Sequence, residues 1–420
     1  MSRSGWFRKQ QPMLADDGTT AAKPSGSRLK GRRGLALTAS GAAMVLGAGV
    51  AIVAFASPGS HAAPVSAAQA AAAAKQDKPA VPLQVLSVTP ASGAKGINGA
   101  APIKVRFSAP LAANTPMPTL SPHITGSWQV EGDTAVFTPA VGYFENTKVK
   151  LTIPGGANGM ISVAGASAGS GGLLASSVTQ SFTTGSFGTL ALQQVLTRLG
   201  YLPLTWTPES KTFVTPGNAN AVLSAAYQPP AGTFGWTGSY PSNLTNQWKA
   251  GSANILDVGA VRAFESVTGL TMDGVAGRTV WSDLLSAVAK GKDNPNGYTY
   301  ALANQHSPET ITIWHNGRVV LKSLVNTGIA ASPTVDGTFP VYLRFYFTYM
   351  KGTNPDGSKY DDPVYYANYF NGGDAVHQFS RGSYGSYQSL GCVELPFDEA
   401  KRAYSYLSYG SLVTVTGPVA

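Results

Sequence analysis

Two side chains could do covalent chemistry here. Cys392 is the only cysteine in 420 residues, and His377 stands fifteen positions before it. A thiol with no possible disulfide partner in its own chain is either a reactive group or an inert buried one. The run Ser389-Leu390-Gly391-Cys392 places it after Ser-x-Gly, a tight-turn pattern, with an imidazole within folding reach. That is the arrangement of a nucleophile and its base. A thiolate attacks an amide carbonyl, and the resulting thioester is open to an incoming amine, so the pair suits acyl transfer. Most free thiols are protonated at neutral pH, so the imidazole must take the proton. Gly391 would let the backbone approach a substrate carbonyl closely and supply a positive φ. Backbone N–H groups at the strand-to-helix transition after Cys392 would stabilise the oxyanion. Metal chemistry finds no support, because the five histidines (61, 123, 306, 315 and 377) form no ligand spacing. His306 and His315 read as surface residues on a loop and a hairpin.

The elements that would position this pair lie between about Asn296 and Gly417. Residues 298–303, 310–314 and 318–321 read as strands, the last two joined by the two-residue turn Asn316-Gly317. Residues 397–407 read as a helix and 411–416 as a closing strand, which together predict a curved mixed β fold. Between them Val341–Phe370 holds seven Tyr and three Phe around the turn segment Lys351–Ser358. Tyr365, Tyr366 and Tyr369 are candidates to line a peptide groove, although alternating aromatics also pack ordinary hairpins.

Upstream the chain is modular. Residues 1–33 carry eight Lys or Arg against two Asp, which is +6 of the formal +9. The rest therefore holds only about +3, no electrostatic footprint for nucleic acid. Residues 34–56 are uncharged and long enough to cross a bilayer, with the basic flank on the inside. They predict a signal peptide or a transmembrane anchor, the only membrane contact expected, with the remainder extracytoplasmic and in the cell wall. Residues 57–83 are an Ala/Pro linker. Residues 84–185 alternate in short strands and predict a β-sandwich, with a loose Gly/Ala/Ser loop over 155–172. Residues 186–292 are helical at both ends, with an irregular insertion over 204–254. The fold class is thus multidomain and mainly β, with one small helical module.

Three family resemblances follow from the motifs. Pro90, Phe107-Ser108-Ala109-Pro110, Trp128, Phe137-Thr138-Pro139 and Tyr143 resemble bacterial Ig-like domains. "LQQVLTRLGYLP" with "VRAFESVTGLTMDGVAGRTVW" resembles a small three-helix peptidoglycan-binding domain. "NTGIAASPTVDGTFPV", "AVHQF" and "SLGCVELPFDEAKRAYSYLSYGSLVTV" resemble the L,D-transpeptidase (YkuD-like) catalytic domain, which would occupy 296–420. This last resemblance implies Cys392 as nucleophile, His377 as general base and acid, and Ser389 and Gly391 as shapers of the turn. Thr338 and Phe339, in the "DGTFPV" segment, join the three tyrosines as candidate substrate-binding residues. It implies a hairpin lid over the cleft and no cofactor or metal. The implied partners are the donor and acceptor stem peptides of peptidoglycan, with carbapenem β-lactams as covalent inhibitors. The implied reaction is a 3→3 cross-link through a Cys thioester on a tetrapeptide stem. Two other outcomes stay open: a wall-binding scaffold with a decayed catalytic domain, and an L,D-carboxypeptidase. The sequence departs from the family pattern at Leu390 (usually His), Glu394 (often Arg or Asn) and Gln378 (commonly Gly or Ser). Residue order argues against papain-like peptidases, whose His follows the Cys, and against sortases, whose gap is longer and whose Arg follows the Cys.

Overall fold

The computed structural model describes residues 80–169, 171–209 and 218–417. The basic segment 1–33, the apolar segment 34–56 and linker residues 57–79 lie outside the described residues. Among the described residues no helix is long and apolar enough to cross a membrane.

The first module is a two-sheet sandwich. One sheet has the order β1 (Val85–Thr89), β2 (Ile103–Phe107), β5 (Thr134–Pro139), β4 (Gly126–Glu131). The other has the order β3 (Thr119–Ser121), β6 (Lys148–Ile153), β7 (Val178–Thr183). The alternation of Ile-Lys-Val-Arg-Phe in β2 buries Ile103, Val105 and Phe107 and exposes Lys104 and Arg106, as a half-buried strand must. Residues 155–172 are more ordered than a loose loop. They contain α1 (Val163–Ala168), whose N-terminus is capped by Ser162 Oγ accepting from the Gly165 amide at 3.2 Å.

The second module contains α2 (Thr189–Arg198), α3 (Ala219–Tyr227), α4 (Ser242–Thr245), α5 (Ile255–Thr268) and α6 (Arg278–Lys290). The 204–254 insertion, expected to be irregular, also contributes the antiparallel pair β8 (Leu204–Pro208) and β9 (Gly232–Trp236). Its aromatics drive that order: Phe234 packs on Trp206 at 4.8 Å and on Trp248 at 5.1 Å. Asn254 and Asp257 form a reciprocal cap on α5, which stops at Gly269 in the left-handed region.

The third module has two sheets and one helix. β12 (Arg318–Leu324), β11 (Thr310–His315), β10 (Thr299–Asn304), β18 (Leu412–Thr416) and β13 (Gly337–Pro340) form one sheet, with β10 and β18 parallel. β14 (Leu343–Thr353), β15 (Lys359–Asn371), β16 (Asp374–Gln378) and β17 (Val393–Leu395) form the other, with β16 and β17 parallel. Helix α7 (Phe397–Tyr406) buries Ala400 and Ala403 against the second sheet. Asn316 and Gly317, both at positive φ, make the tight turn between β11 and β12.

The modules are fused rather than strung. Tyr298, Tyr300 and Leu412 of the third module belong to the core of the second, alongside Leu256 and Ala260 of α5. At the seam the backbone of Gly259 meets that of Gly410. A Cβ on Gly259 would stand 2.6 Å from the Gly410 carbonyl oxygen and 2.9 Å from Leu412 Cδ2. The first and second modules are tied by Tyr227 Oη donating to the Tyr143 carbonyl at 2.8 Å and Arg278 Nη2 donating to the Glu145 carbonyl at 3.0 Å.

Candidate active site

Cys392 and His377 are set on one face by the parallel pairing of β16 with β17. Val376 aligns with Val393 and His377 with Glu394, so Cys392 enters β17 alongside Ala375. Side chains alternate along β16, and the two faces pack into different clusters. Val376 and Val393 face the core under α7. Ala375 faces the opposite cluster, which also contains Cys392, Tyr369 and Tyr342. His377, two residues on from Ala375, shares that face with Cys392.

The imidazole is 2 % exposed, and its Nδ1 lies 2.7 Å from the Gln378 carbonyl oxygen. That carbonyl can only accept, so Nδ1 carries the proton and Nε2 keeps a lone pair for a thiol proton. The orienting group is main chain, so Gln378 serves as well as the usual Gly or Ser. Burial lowers the imidazole to about 4, with the Gln378 hydrogen bond opposing and the Arg381 charge reinforcing the shift. It is a neutral base at neutral pH.

The turn that presents the thiol is held by Ser389. Its Oγ donates to the Cys392 carbonyl at 2.6 Å and accepts from the Gly391 amide at 3.2 Å. The Gly391 amide is therefore spent on the turn. Gly391 has φ +114°, a conformation side chains rarely adopt. Beneath the turn lies the 326–328 segment. Thr327 O accepts from the Gln388 and Ser389 amides, both at 2.9 Å, and Ile329 N–H donates to Ser389 O at 2.9 Å. Glu309, fully buried, accepts from the Thr327 amide at 2.6 Å and hydroxyl at 2.7 Å. Leu390 directs its carbonyl to Ser332 Oγ at 2.9 Å. Cys392 Sγ points at the Gly373 carbonyl, 3.8 Å away.

Tyr342, Tyr360 and Tyr369 surround the thiol electrostatically. Burial raises each phenol above its ordinary value, and the Cys392 charge adds to the rise in all three. Tyr342 Oη donates to the Gly372 carbonyl, closing the floor next to Gly373.

Of the candidate substrate-binding residues, only Tyr369 stands with Cys392. Tyr365 and Tyr366 face α7 instead, with rings 5.9 and 5.4 Å from Phe397. The reason is local: Tyr366 has φ +60°, which breaks the alternation midway along β15. Thr338 Oγ1 is 2.7 Å from Thr414 Oγ1 and accepts from Gln247 Nε2 at 2.7 Å, a link between modules. Phe339 packs at 6.1 Å on Phe370 in the core. His315 is half-buried rather than on the surface, because its Nδ1 lies 3.0 Å from Thr299 Oγ1 and its ring 5.2 Å from Tyr406. Among the described residues no group of three His, Cys, Asp or Glu could hold a metal ion.

The residues that sequence reasoning missed are Tyr342, Tyr360, Glu309 and Arg381. Arg381 forms a two-pronged pair with Glu394, Nε to Oε2 at 2.8 Å and Nη2 to Oε1 at 2.7 Å. The two stand thirteen positions apart, a spacing no periodicity would select.

Residues 298–415 match the model of the L,D-transpeptidase catalytic domain, and residues 79–184 match that of a bacterial Ig-like domain. Residues 298–415 form an L,D-transpeptidase catalytic domain. Among solved structures the chain is similar to an L,D-transpeptidase from Mycobacterium smegmatis, at 17% identity over 80% of this chain and 100% of that one, with TM-score 0.27. It is similar to the catalytic domain of an E. faecium L,D-transpeptidase, at 26% identity over 28% of this chain and 96% of that one, with TM-score 0.26. A third is L,D-transpeptidase 3 from Mycobacterium tuberculosis carrying a faropenem-derived adduct, at 14% identity over 79% of this chain and 98% of that one, with TM-score 0.27. No curated protein gives a significant match. In this transpeptidase domain Cys392 and His377 sit on one face of one strand pair, over the hydrogen-bonded turn segments at 326–328 and 389–392.

Proposed function

We propose that the chain is an exported peptidoglycan L,D-transpeptidase that works through a thioester on Cys392. The single observation carrying this reading is the shared face of Cys392 and His377 on the β16–β17 pair, with the imidazole oriented by a main-chain carbonyl. Nε2 of His377 takes the thiol proton as Sγ attacks the carbonyl between the third stem residue and the terminal D-Ala. The S–C bond forms, and the tetrahedral oxyanion then collapses. The C–N bond breaks, and His377 returns the proton to the departing D-Ala amine. A side-chain amine from a neighbouring stem attacks the thioester, gives a proton to His377, and expels the thiolate, which takes that proton back from the imidazolium. The product is a 3→3 cross-link. Tyr369, with Tyr342 and Tyr360, would wall the donor groove. The helical module, by its resemblance to peptidoglycan-binding domains, would hold the wall polymer, and the 34–56 segment would export or anchor the chain.

A carbapenem tests this directly, because ring opening needs the thiolate, the base and an oxyanion site but no acceptor. Intact-mass spectrometry is expected to show one added ligand mass on the peptide carrying Cys392, absent in Cys392→Ala. A folded protein whose thiol alkylates but never acylates would favour the non-catalytic scaffold. An adduct, together with stem hydrolysis but no cross-linked product, would favour the carboxypeptidase.

A further inference from the structure

Glu394 presents a question that the nucleophile and base do not answer. It is a carboxylate, 4 % exposed, on the strand position aligned with His377. In register with His377, it lies on the same face of the strand pair. Both of its oxygens are taken by Arg381. Arg381 belongs to the 379–391 loop, which runs from the end of β16 to the nucleophile. The same guanidinium donates from Nη2 to the Gln388 carbonyl at 3.0 Å, one residue before Ser389. Its plane lies 4.6 Å over the Phe379 ring, and that ring stands 6.2 Å from the His377 ring. The start of the loop is further pinned by Tyr384, whose Oη accepts from the Arg381 amide at 3.3 Å and donates to the Phe379 carbonyl at 2.7 Å.

We propose that the Arg381–Glu394 ion pair is a positioning device for the acyl transfer: it fixes the loop that delivers Cys392 and withholds the Glu394 carboxylate from the His377 imidazole. The inference rests on the reading of Cys392 and His377 as nucleophile and base. Arg381 and Glu394 act through those two and touch no reacting atom.

A two-pronged Arg–carboxylate pair fixes direction as well as distance, which a lysine cannot do. A buried carboxylate that loses its partner needs a new donor or a proton, and the His377 imidazole lies on the same face of the adjacent strand. The charged and titratable groups around the imidazole are Arg381 from the loop, Glu394 and Cys392 from β17 and the turn before it, and Asp362 from β15. Arg381 disfavours the imidazolium and Asp362 favours it. Removing Arg381 removes the first influence and frees a second carboxylate. Removing Glu394 leaves the guanidinium uncompensated. The two changes therefore move the imidazole in opposite directions, and Arg381→Lys separates the charge from the fork.

The test uses the full chain labelled with ¹³C-histidine, the His377 resonance being assigned by its loss in His377→Gln. Arg381→Gln is expected to raise the His377 titration midpoint by about one pH unit or more, and Glu394→Gln to lower it. Both are expected to slow carbapenem acylation of Cys392 by roughly tenfold or more, as a misplaced nucleophile does. The exchange Arg381→Glu with Glu394→Arg is expected to restore the acylation rate to within a few-fold of the unmodified chain. Arg381→Lys keeps the charge but loses the fork, so the titration stays near that of the unmodified chain while acylation slows. It decides the matter if the other variants fail to fold. Identical titrations in all variants, or acylation that is indifferent to Arg381→Lys and Arg381→Gln, would overturn the proposal. Failure of the unmodified chain to acylate would instead count against the transpeptidase reading, since the titrations stand by themselves.

Discussion

Replacing His377 by Gln is expected to change how stability depends on pH. Burial lowers the imidazole from 6.5 to about 4. The unfolded chain binds the proton more readily than the folded one, so acid favours unfolding. Above about pH 6.5 neither state is protonated and the group contributes nothing to the slope. Stability is lost as pH falls from 6.5 towards 4, and below 4 the loss is complete. The gap of about 2.5 pH units, at 1.36 kcal/mol each, sets that loss at roughly 3 kcal/mol. Two buried carboxyls titrate across the same window with the opposite sign. Burial raises Asp257 to about 6 and Glu265 to about 7, so their contribution is present in acid and disappears as pH rises. They are common to both proteins, so the difference between wild type and variant isolates His377. Urea unfolding at half-unit intervals from pH 4 to 8 gives that difference. It is expected to be flat above pH 7 and to swing by roughly 3 kcal/mol towards the variant by pH 4. Parallel curves across the whole range would show that the imidazole is not held in a proton-excluding site, and the neutral-base argument would fail with it.

Gly391→Ala forces a side chain into φ +114° at the turn. It is expected to lower carbapenem acylation at least about tenfold with little change in thermal melting, because the strain falls on the turn that aims Cys392. Gly410→Ala combines φ +82° with a Cβ placed 2.7 Å from the Ala263 nitrogen. Backbone strain of roughly 1–2 kcal/mol and overpacking of about 1–3 kcal/mol sum to about 2–5 kcal/mol, read by denaturant unfolding. A change under about 0.5 kcal/mol would mean that the seam yields without cost. A fragment beginning at Tyr298 leaves Tyr298, Tyr300 and Leu412 without their packing partners in the helical module. It is expected to show low thermal stability by circular dichroism, and a melt matching the full chain would refute the shared core.

Much of the third module was legible in the sequence. The Asn316-Gly317 turn, the helix after Cys392 and the closing strand each carry a local signal that the packing does not override. The candidate pair was legible for a different reason, since the single cysteine of the chain, set after Ser-x-Gly, is chemically conspicuous. The tyrosines were not. Reading Tyr365 and Tyr369 onto one groove assumes unbroken alternation, and Tyr366 breaks it with a backbone conformation that nothing in its side chain announces. Tyr342 comes from the residue before β14 and Tyr360 from β15, Glu309 supports the turn from the residue before β11, and Arg381 from a loop. Such convergence is set by strand pairing and by buried charge, not by spacing along the chain. The order within residues 204–254 was missed because Trp206, Phe234 and Trp248 meet only after the chain has folded back.

The contact of Gly259 with Gly410 joins positions 151 residues apart in the chain, and it bears on inheritance as much as on packing. A gene for a beads-on-a-string enzyme can exchange its domains by recombination, because each bead keeps its surface. Here neither side of the seam tolerates even one added methyl group without a matching retreat on the other. A transplanted helical module would bring its own residue to position 259 against a foreign turn, and the graft would be rejected at the backbone before any side chain was compared. The two modules are therefore expected to travel through descent as one unit, drifting together at the seam while their outer surfaces vary independently.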